Sequence, residues 1–196
     1  AILFPFNIPL FAINIILFRA FFVLLKFEFE LYFFVIFARQ MKTELILIGK
    51  TTDKHLQAGI DDYVGRIGHY MPFALTVIPE LKNTKSLSED QQKTLEGEAI
   101  LKLLQPSDTL VILDEKGREY RSIEFASWLA KRQQTTRRLV FLIGGPYGFS
   151  EAIYERANEK ISLSKMTFSH LLVRLIFAEQ LYRACTINKN EPYHHE

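Results

Sequence analysis

The stretch 139-LVFLIGGPYGFSEAIYERANEKISLSKMTFSH-170 decides the fold of this chain. Its first five residues are apolar, and a glycine-rich segment at 144–148 follows them before a helix start at Ser150. A second apolar run at 161–163 leads into a polar loop, and a long helical pattern then covers residues 171–187. The order strand, loop, helix, strand, loop, helix predicts two parallel strands. Open α/β sheets bind their ligands at the carboxyl ends of such strands.

The glycine segment has the composition of a ligand-binding loop. Gly144, Gly145 and Gly148 can adopt positive φ and bring bare backbone close to a ligand, and Pro146 stiffens the turn between them. A tight strand-to-helix turn without any ligand explains the same residues equally well. The segment matches neither G-x-G-x-x-G nor G-x-x-x-x-G-K-[ST], so neither nucleotide fingerprint is present.

Composition limits the classes of protein that the chain can belong to. Its 196 residues fit one domain with an appendage, and its net charge of +2 gives no strong electrostatic footprint for nucleic acid at the level of the whole chain. The single cysteine, Cys185, excludes an intrachain disulfide and favours a reducing compartment, the cytoplasm. We expect Cys185 to be a buried, inert thiol. Because no Cys and His residues stand at metal-ligand spacing, a zinc site is not expected.

Residues 1–40 differ from the remainder of the chain, since they contain 11 of its 17 phenylalanines and residues 2–18 carry no charge. A membrane anchor of this length is conceivable, but Pro5 and Pro9 interrupt it. A signal peptide fits poorly, because no basic segment precedes the apolar one. The favoured interpretation is a translated upstream sequence that is not native, with Met41 as the true start. The predicted organisation is a hydrophobic extension over 1–40 and one domain over 41–196.

From Met41 onward the pattern predicts an α/β domain. Strands are predicted at 44–48, 74–78, 109–113, 139–143 and 161–163. Helices are predicted after Asp53, Ser88, Ser122 and Ser150, each acting as N-cap, and over 171–187. This alternation predicts a mostly parallel sheet with helices on both faces. In the second helix, Leu95 and Leu103 are expected to face the core.

Two further segments carry candidate functional groups. Acidic residues follow the third strand at 114–118, where they suit hydroxyl binding or catalysis, although a solvated turn accounts for them equally well. The last helix is apolar nearly all round, so it is either deeply buried or shared with a second subunit. The chain terminus after it is rich in aromatic, imidazole and carboxylate groups.

Several ordered motifs together resemble one known family. They are LIGGPYG at 142–148, LSKMT at 163–167 before His170, LVR at 172–174, EQLYRA at 179–184 and PYH at 192–194. These motifs are similar to those of the ribosomal large subunit pseudouridine methyltransferase H family, within the SPOUT superfamily. The resemblance covers residues 41–196 and leaves residues 1–40 outside.

The resemblance implies a fold, a cofactor and a substrate. The sheet would carry a deep trefoil knot in its C-terminal half, which would bind S-adenosylmethionine and pair two subunits into a homodimer. The methyl group would go to N3 of a pseudouridine in helix 69 of 23S rRNA, on the assembled 70S ribosome. The cofactor would be held by Leu113, Gly145, Leu163, Ser164, Lys165, Met166, Thr167 and Phe168.

The resemblance also implies roles for polar residues near the end of the chain. Because N3 of pseudouridine carries a proton that must leave, a general base is expected, and His194 is the first candidate, with Tyr193 as a positioning residue. The tail would reach the active site of the partner subunit. We expect His170 to orient the loop beside it, and Arg174 and Arg183 to contact RNA phosphate. A structural hydrogen bond within the dimer is the alternative for each of these residues.

Two positions depart from the family pattern. Tyr147 stands where relatives often have Glu, and His195 stands where they often have Arg or Lys, which puts a permanent positive charge near the RNA in doubt. Two other functions stay open at this point. One is a different nucleotide-binding α/β enzyme, and the other is a membrane-tethered protein anchored by residues 1–40.

Overall fold

The computed structural model describes residues 41–194, together with Lys26 and Glu28. The chain divides into two units, residues 1–40 and 41–196. The predictions for residues 1–40 and for His195 lie outside the described residues, apart from those two positions, and they stay predictions. Among the described residues, no helix is both long and apolar enough to cross a membrane.

Five strands form one sheet, and every neighbouring pair in it is parallel. They are β1 (Lys42–Ile48), β2 (Phe73–Ile78), β3 (Thr109–Glu119), β4 (Arg138–Ile143) and β5 (Glu159–Ser162). The order across the sheet is β2-β1-β4-β3-β5. The parallel sheet predicted from the alternation is therefore confirmed. Its order places β4, β3 and β5 side by side, so that their carboxyl ends meet at one edge.

Among residues 41–194, four helices connect the strands and a fifth follows β5: α1 (Lys54–Gly68), α2 (Glu89–Leu101), α3 (Ser122–Thr135), α4 (Glu151–Arg156) and α5 (Leu172–Asn188). A short 3-10 helix, Thr84–Ser86, lies in the polar connection before α2. The Asp53 carboxylate caps α1 by accepting the N–H groups of His55 and Leu56 at 2.8 and 3.0 Å. Ser88 caps α2 in a reciprocal capping box with Gln91.

Two hydrophobic clusters confirm that helices cover both faces of the sheet. Alternate residues of β1 point to opposite faces, as the pleat requires. Leu45 and Leu47 belong to the cluster with α1, α3 and α5, whereas Ile46 and Ile48 belong to the cluster with α2 and α4. The burial of both faces explains why the strands are continuously apolar in sequence.

Two local predictions were wrong. Leu95 and Leu103 are 39% and 43% exposed instead of facing the core, because the buried positions of α2 are Glu96, Gly97 and Ile100. The N-cap of α3 is Arg121, not Ser122; the Arg121 N–H bonds to a Glu124 carboxylate oxygen at 3.0 Å.

Strand β3 continues past the predicted end at Leu113. It pairs with β5 twice, since Leu113 and Arg118 both lie opposite Ile161. The four residues between them therefore form an excursion at the edge where β3, β4 and β5 meet. Gly117 allows the strand to return, because a Cβ there would lie 2.5 Å from the Ile161 carbonyl carbon. The acidic segment, for which ligand binding and a solvated turn were both left open, is thus fixed at both ends by pairing with β5.

Candidate functional site

A cavity of about 590 Å³ opens at the carboxyl ends of β3, β4 and β5. Three segments line it: the excursion of β3, the glycine segment after β4, and the loop between β5 and α5. Its volume lies in the range of sites for small molecules and cofactors. The cavity stands where loops from neighbouring strands converge, which is the position predicted for a ligand.

The structure brings together most of the residues predicted to hold a cofactor. The cavity is lined by Leu113, Gly145, Leu163, Ser164, Met166, Thr167 and Phe168. Lys165 is exposed and does not line it. His170, expected to orient the loop beside it, also lies in the wall. Three stretches far apart in sequence therefore form one site.

The glycines of the loop after β4 serve two different needs. Gly148 has φ +82°, which other residues rarely adopt, and its N–H bonds to the Gly145 carbonyl at 3.2 Å. Gly144 and Gly145 have no positive φ, so that part of the prediction was wrong. They are needed for close approach, because added Cβ atoms would lie 3.0 Å from the Phe149 ring and 2.8 Å from a Glu96 carboxylate oxygen.

Serine hydroxyls shape the loop between β5 and α5. The Ser162 hydroxyl donates to the Ser164 carbonyl at 2.9 Å, and the Ser164 hydroxyl accepts the Met166 N–H at 2.9 Å. The Ser169 hydroxyl accepts the Leu172 N–H at 3.2 Å, at the start of α5. These local bonds satisfy backbone groups within the loop, and they fix the wall of the cavity without a regular secondary structure.

Sequence reasoning missed Tyr154 as part of the site. Its hydroxyl donates to the Asp114 carboxylate at 2.6 Å, and both residues line the cavity. Burial, with the carboxylates of Asp114 and Glu115 nearby, raises the pKa of Tyr154 to about 12, so its hydroxyl stays protonated near neutral pH. The position could have been found from its spacing, since Tyr154 stands one helical turn after Ser150, in the helix that follows the glycine loop.

Arg174 is 1% exposed and acts inside the fold. Its guanidinium donates to the Gly49 carbonyl at 2.9 Å, to the Thr51 hydroxyl at 3.0 Å and to the Ile48 carbonyl. Its Nε also donates to the His170 carbonyl at 3.1 Å. Because its guanidinium is buried and each of its three nitrogens already donates inside the fold, Arg174 is not placed to meet RNA phosphate, and we assign it the alternative role of joining the cavity loop to the end of β1.

Tyr193, near the end of the described residues, packs on α1 and α5 and does not line the cavity. The Tyr193 hydroxyl lies 3.1 Å from the Glu179 carboxylate and 3.3 Å from the Tyr63 hydroxyl, and burial raises its pKa. The Arg183 guanidinium pairs with Glu179 and stacks 4.8 Å from the centre of the Tyr193 ring. His194 Nε2 is buried without a hydrogen-bond partner among the described residues. Tyr193, His194 and Arg183 do not line the cavity, and the roles predicted for them stay predictions.

Cys185 is 4% exposed, and burial raises the pKa of its thiol to about 12, which confirms a buried, inert thiol. Among residues 41–194, no group of three or more His, Cys, Asp or Glu side chains is placed to hold a metal ion.

Comparisons with known proteins agree with this geometry. A family model described as "Predicted SPOUT methyltransferase" matches residues 41–194. "Ribosomal RNA large subunit methyltransferase H" of Parabacteroides distasonis is 60% identical over 157 residues, which are 80% of this chain and 100% of that protein. Proteins of the same name from Bacteroides thetaiotaomicron and Flavobacterium johnsoniae are 59% and 55% identical over the same shares. The resemblance found in the motifs is confirmed: the chain belongs to the SPOUT methyltransferase family.

Proposed function

We propose that this protein methylates large-subunit ribosomal RNA, with S-adenosylmethionine as methyl donor. The target we propose is N3 of a pseudouridine in helix 69 of 23S rRNA, on the assembled 70S ribosome in the cytoplasm. The observation that carries the proposal is the convergence of Leu113, Gly145 and the loop after β5 on one cavity, in a chain that matches its relatives over their full length.

The residues of the cavity fit this cofactor. Leu113, Leu163 and Phe168 provide apolar surface for an adenine ring, and the bare backbone of Gly145 allows close approach. The carboxylate of Asp114 suits either a ribose hydroxyl or a positively charged group. When bound, S-adenosylmethionine supplies a methyl group activated by a positively charged sulfur. The chain holds the donor and excludes water, while the nucleobase is brought into near-attack geometry.

The proton on N3 of the base has to leave, and the cavity of a single protomer offers few acceptors for it. Asp114 already accepts two hydrogen bonds, and His170 keeps the role of orienting the loop that we expected for it. We therefore keep His194 as the proposed general base and Tyr193 as its positioning residue. Since both lie away from their own cavity, they would act in the cavity of a partner subunit.

This arrangement implies a homodimer, and we propose that two subunits pair through the cavity region. Exposed apolar side chains at the rim, Met166 and Leu172, are 76% and 38% exposed, and they would be covered by such a partner. We also propose that the chain after β4 forms the trefoil knot expected for the family, with α5 passed through the preceding loop.

A transfer assay tests the proposal. Protein is incubated with S-adenosylmethionine labelled in its methyl group, together with 70S ribosomes lacking the modification, or with free 23S rRNA. We expect label in rRNA from intact ribosomes and little label in free rRNA. Binding of the cofactor without transfer to either substrate would contradict the proposed substrate and leave the donor standing.

A further inference from the structure

The ionisable groups in the wall of the cavity are unequally exposed. Four side chains there can carry charge near neutral pH: Asp114, Glu115, Lys116 and His170. Glu115, Lys116 and His170 are exposed, and water screens their charges. Asp114 alone among these four is half-buried. Among these four, its charge is therefore the one that water screens least at the cavity wall.

The carboxylate of Asp114 is fixed on both of its oxygens. Oδ2 accepts the Tyr154 hydroxyl at 2.6 Å, and Oδ1 accepts the Lys116 N–H at 2.8 Å. Both donors are neutral groups, and none of the ion pairs formed among the described residues includes Asp114. The hydrogen bonds hold the carboxylate in place without pairing it with a positively charged side chain.

Of the two hydrogen bonds to Asp114, the one from Tyr154 joins segments that are far apart in the chain. The N–H of Lys116 is two residues away and closes a local turn, whereas Tyr154 reaches Asp114 from α4, 40 residues later in the chain. Lys160 lies over the Tyr154 ring, with its ammonium 5.1 Å from the ring centre. The tyrosine is thereby held between β5 and the excursion of β3, and its hydroxyl is directed at one carboxylate oxygen.

We propose that Asp114, positioned by Tyr154, makes the cavity select a positively charged methyl donor over its neutral demethylated product. This inference rests on the proposed function. Methyl transfer leaves the electron pair of the broken carbon–sulfur bond on sulfur, so the sulfonium becomes a neutral thioether. Donor and product otherwise share the adenosine and amino acid parts. A fixed, half-buried carboxylate facing the sulfur is therefore the group able to distinguish them, because it attracts the sulfonium of the donor and not the thioether of the product, whereas the amino acid part is the same in both.

The consequence for the reaction is that the product binds more weakly than the donor and leaves the cavity more readily. Once the sulfur is neutral, the attraction to Asp114 is lost, while the apolar contacts to the adenine are unchanged. The product is then the weaker ligand and is replaced by fresh donor. A cavity lined only by neutral groups would bind both molecules alike, and the product would compete with the donor.

Calorimetry on the full chain tests the inference with three ligands. The first is S-adenosylmethionine, which has a sulfonium, and the second is S-adenosylhomocysteine, which has a neutral thioether. The third is an analogue in which a carbon bearing an ammonium group replaces the methylated sulfur, so that it is positively charged at the same place as the donor. Asp114→Asn is expected to weaken binding of both cationic ligands by about tenfold, the size of one hydrogen bond or close contact to a charge, and to change binding of the neutral product by less than about twofold.

Two further variants complete the test. Tyr154→Phe keeps the Asp114 carboxylate but removes the hydroxyl that donates to it from α4. We therefore expect a smaller loss, about threefold, in the ratio of affinities for the cationic ligands over the neutral product. This variant keeps the inference testable if Asp114→Asn does not fold. Glu155→Gln removes one negative charge next to Tyr154 on an exposed position outside the cavity, and it should leave the preference unchanged.

The outcomes separate the inference from the function on which it rests. If Asp114→Asn weakens all three ligands equally, or weakens none, Asp114 does not select for charge and the inference is wrong. If the wild-type chain binds none of the three ligands, the proposed cofactor is wrong instead. A loss confined to the two cations supports both.

Discussion

The Glu96 carboxylate lies directly behind Gly145, so that a Cβ added to Gly145 would come within 2.8 Å of Glu96 Oε2. Glu96 is 6% exposed and belongs to α2, on the opposite side of the glycine loop from the cavity. The loop is therefore held between a buried carboxylate and the proposed cofactor. This relationship explains why position 145 has no side chain, and it leads to the first two predictions.

Gly145→Val should lower the affinity for S-adenosylmethionine by roughly tenfold or more, because overpacking against Glu96 costs ~1–3 kcal/mol and would displace the loop toward the cavity. Calorimetry measures the affinity. The double variant Gly145→Val with Glu96→Ala removes the obstructing carboxylate and should recover part of the loss. Affinity that is unchanged in the single variant would contradict this placement of the site.

Glu96→Gln should stabilise the fold near neutral pH. Burial is the largest cause that raises the pKa of Glu96 above its ordinary value of 4.5, and repulsion from Glu80 adds to it. The folded state therefore binds more protons than the unfolded chain. Stability falls as the pH rises from the unfolded pKa through the folded one.

Urea unfolding of the wild type and of Glu96→Gln at several pH values checks this sign. The variant should be the more stable protein above the folded pKa, and the difference should shrink as the pH falls from the folded pKa toward 4.5. Gln92 donates to Oε1 of Glu96 at 3.1 Å, and a glutamine can still accept that bond. A variant that is less stable than the wild type at neutral pH would refute the argument.

Arg174→Met should lower the free energy of unfolding by roughly 2–4 kcal/mol, because several buried carbonyl groups lose their donor. Arg183→Ala is the matched control. Arg183 pairs with Glu179 one helical turn earlier in α5, and both side chains are partly exposed. The loss of this ion pair should therefore lower the free energy of unfolding by less than about 1 kcal/mol. Urea unfolding measures both. Equal effects on stability would mean that Arg174 does not have the internal role assigned to it.

Mixed dimers test whether the chain terminus acts in the partner's cavity. One variant lacks residues 192–196, and the other carries Gly145→Val. At a donor concentration well below the Kd of the Gly145→Val cavity, neither variant alone should transfer methyl groups at an appreciable rate, but a mixed dimer would combine an intact cavity on one subunit with an intact tail on the other. We expect methyl transfer to return on mixing, with at most one active site in each mixed dimer. No recovery in verified mixed dimers would refute the exchange of tails.

The regular part of the fold could be predicted because its signals are local. The apolar runs of β1, β3 and β4 and the caps at Asp53 and Ser88 each depend on a few neighbouring residues. The cavity could be located too, since parallel strands put their loops at one edge. Leu95 was misplaced because the α2 pattern does not distinguish a core leucine from an exposed one when Glu96 and Gly97 occupy the buried face.

Contacts between distant segments could not be predicted in the same way. Arg174 looked free in the sequence, but its acceptors are carbonyl groups at the end of β1, 125 and 126 residues away. Backbone carbonyls have no signature in the sequence. The bond from Tyr154 to Asp114 was missed for a similar reason, because it depends on how α4 packs beside an excursion of β3 that the apolar pattern did not reveal.

The most direct test of the whole account is to find where the methyl group goes. Ribosomes lacking the modification are treated with the protein and labelled S-adenosylmethionine, and their 23S rRNA is digested to nucleosides and to helix 69 fragments for mass spectrometry. The account predicts that the label is N3-methylpseudouridine within helix 69. Label in another nucleoside, or in another part of the rRNA, would contradict it.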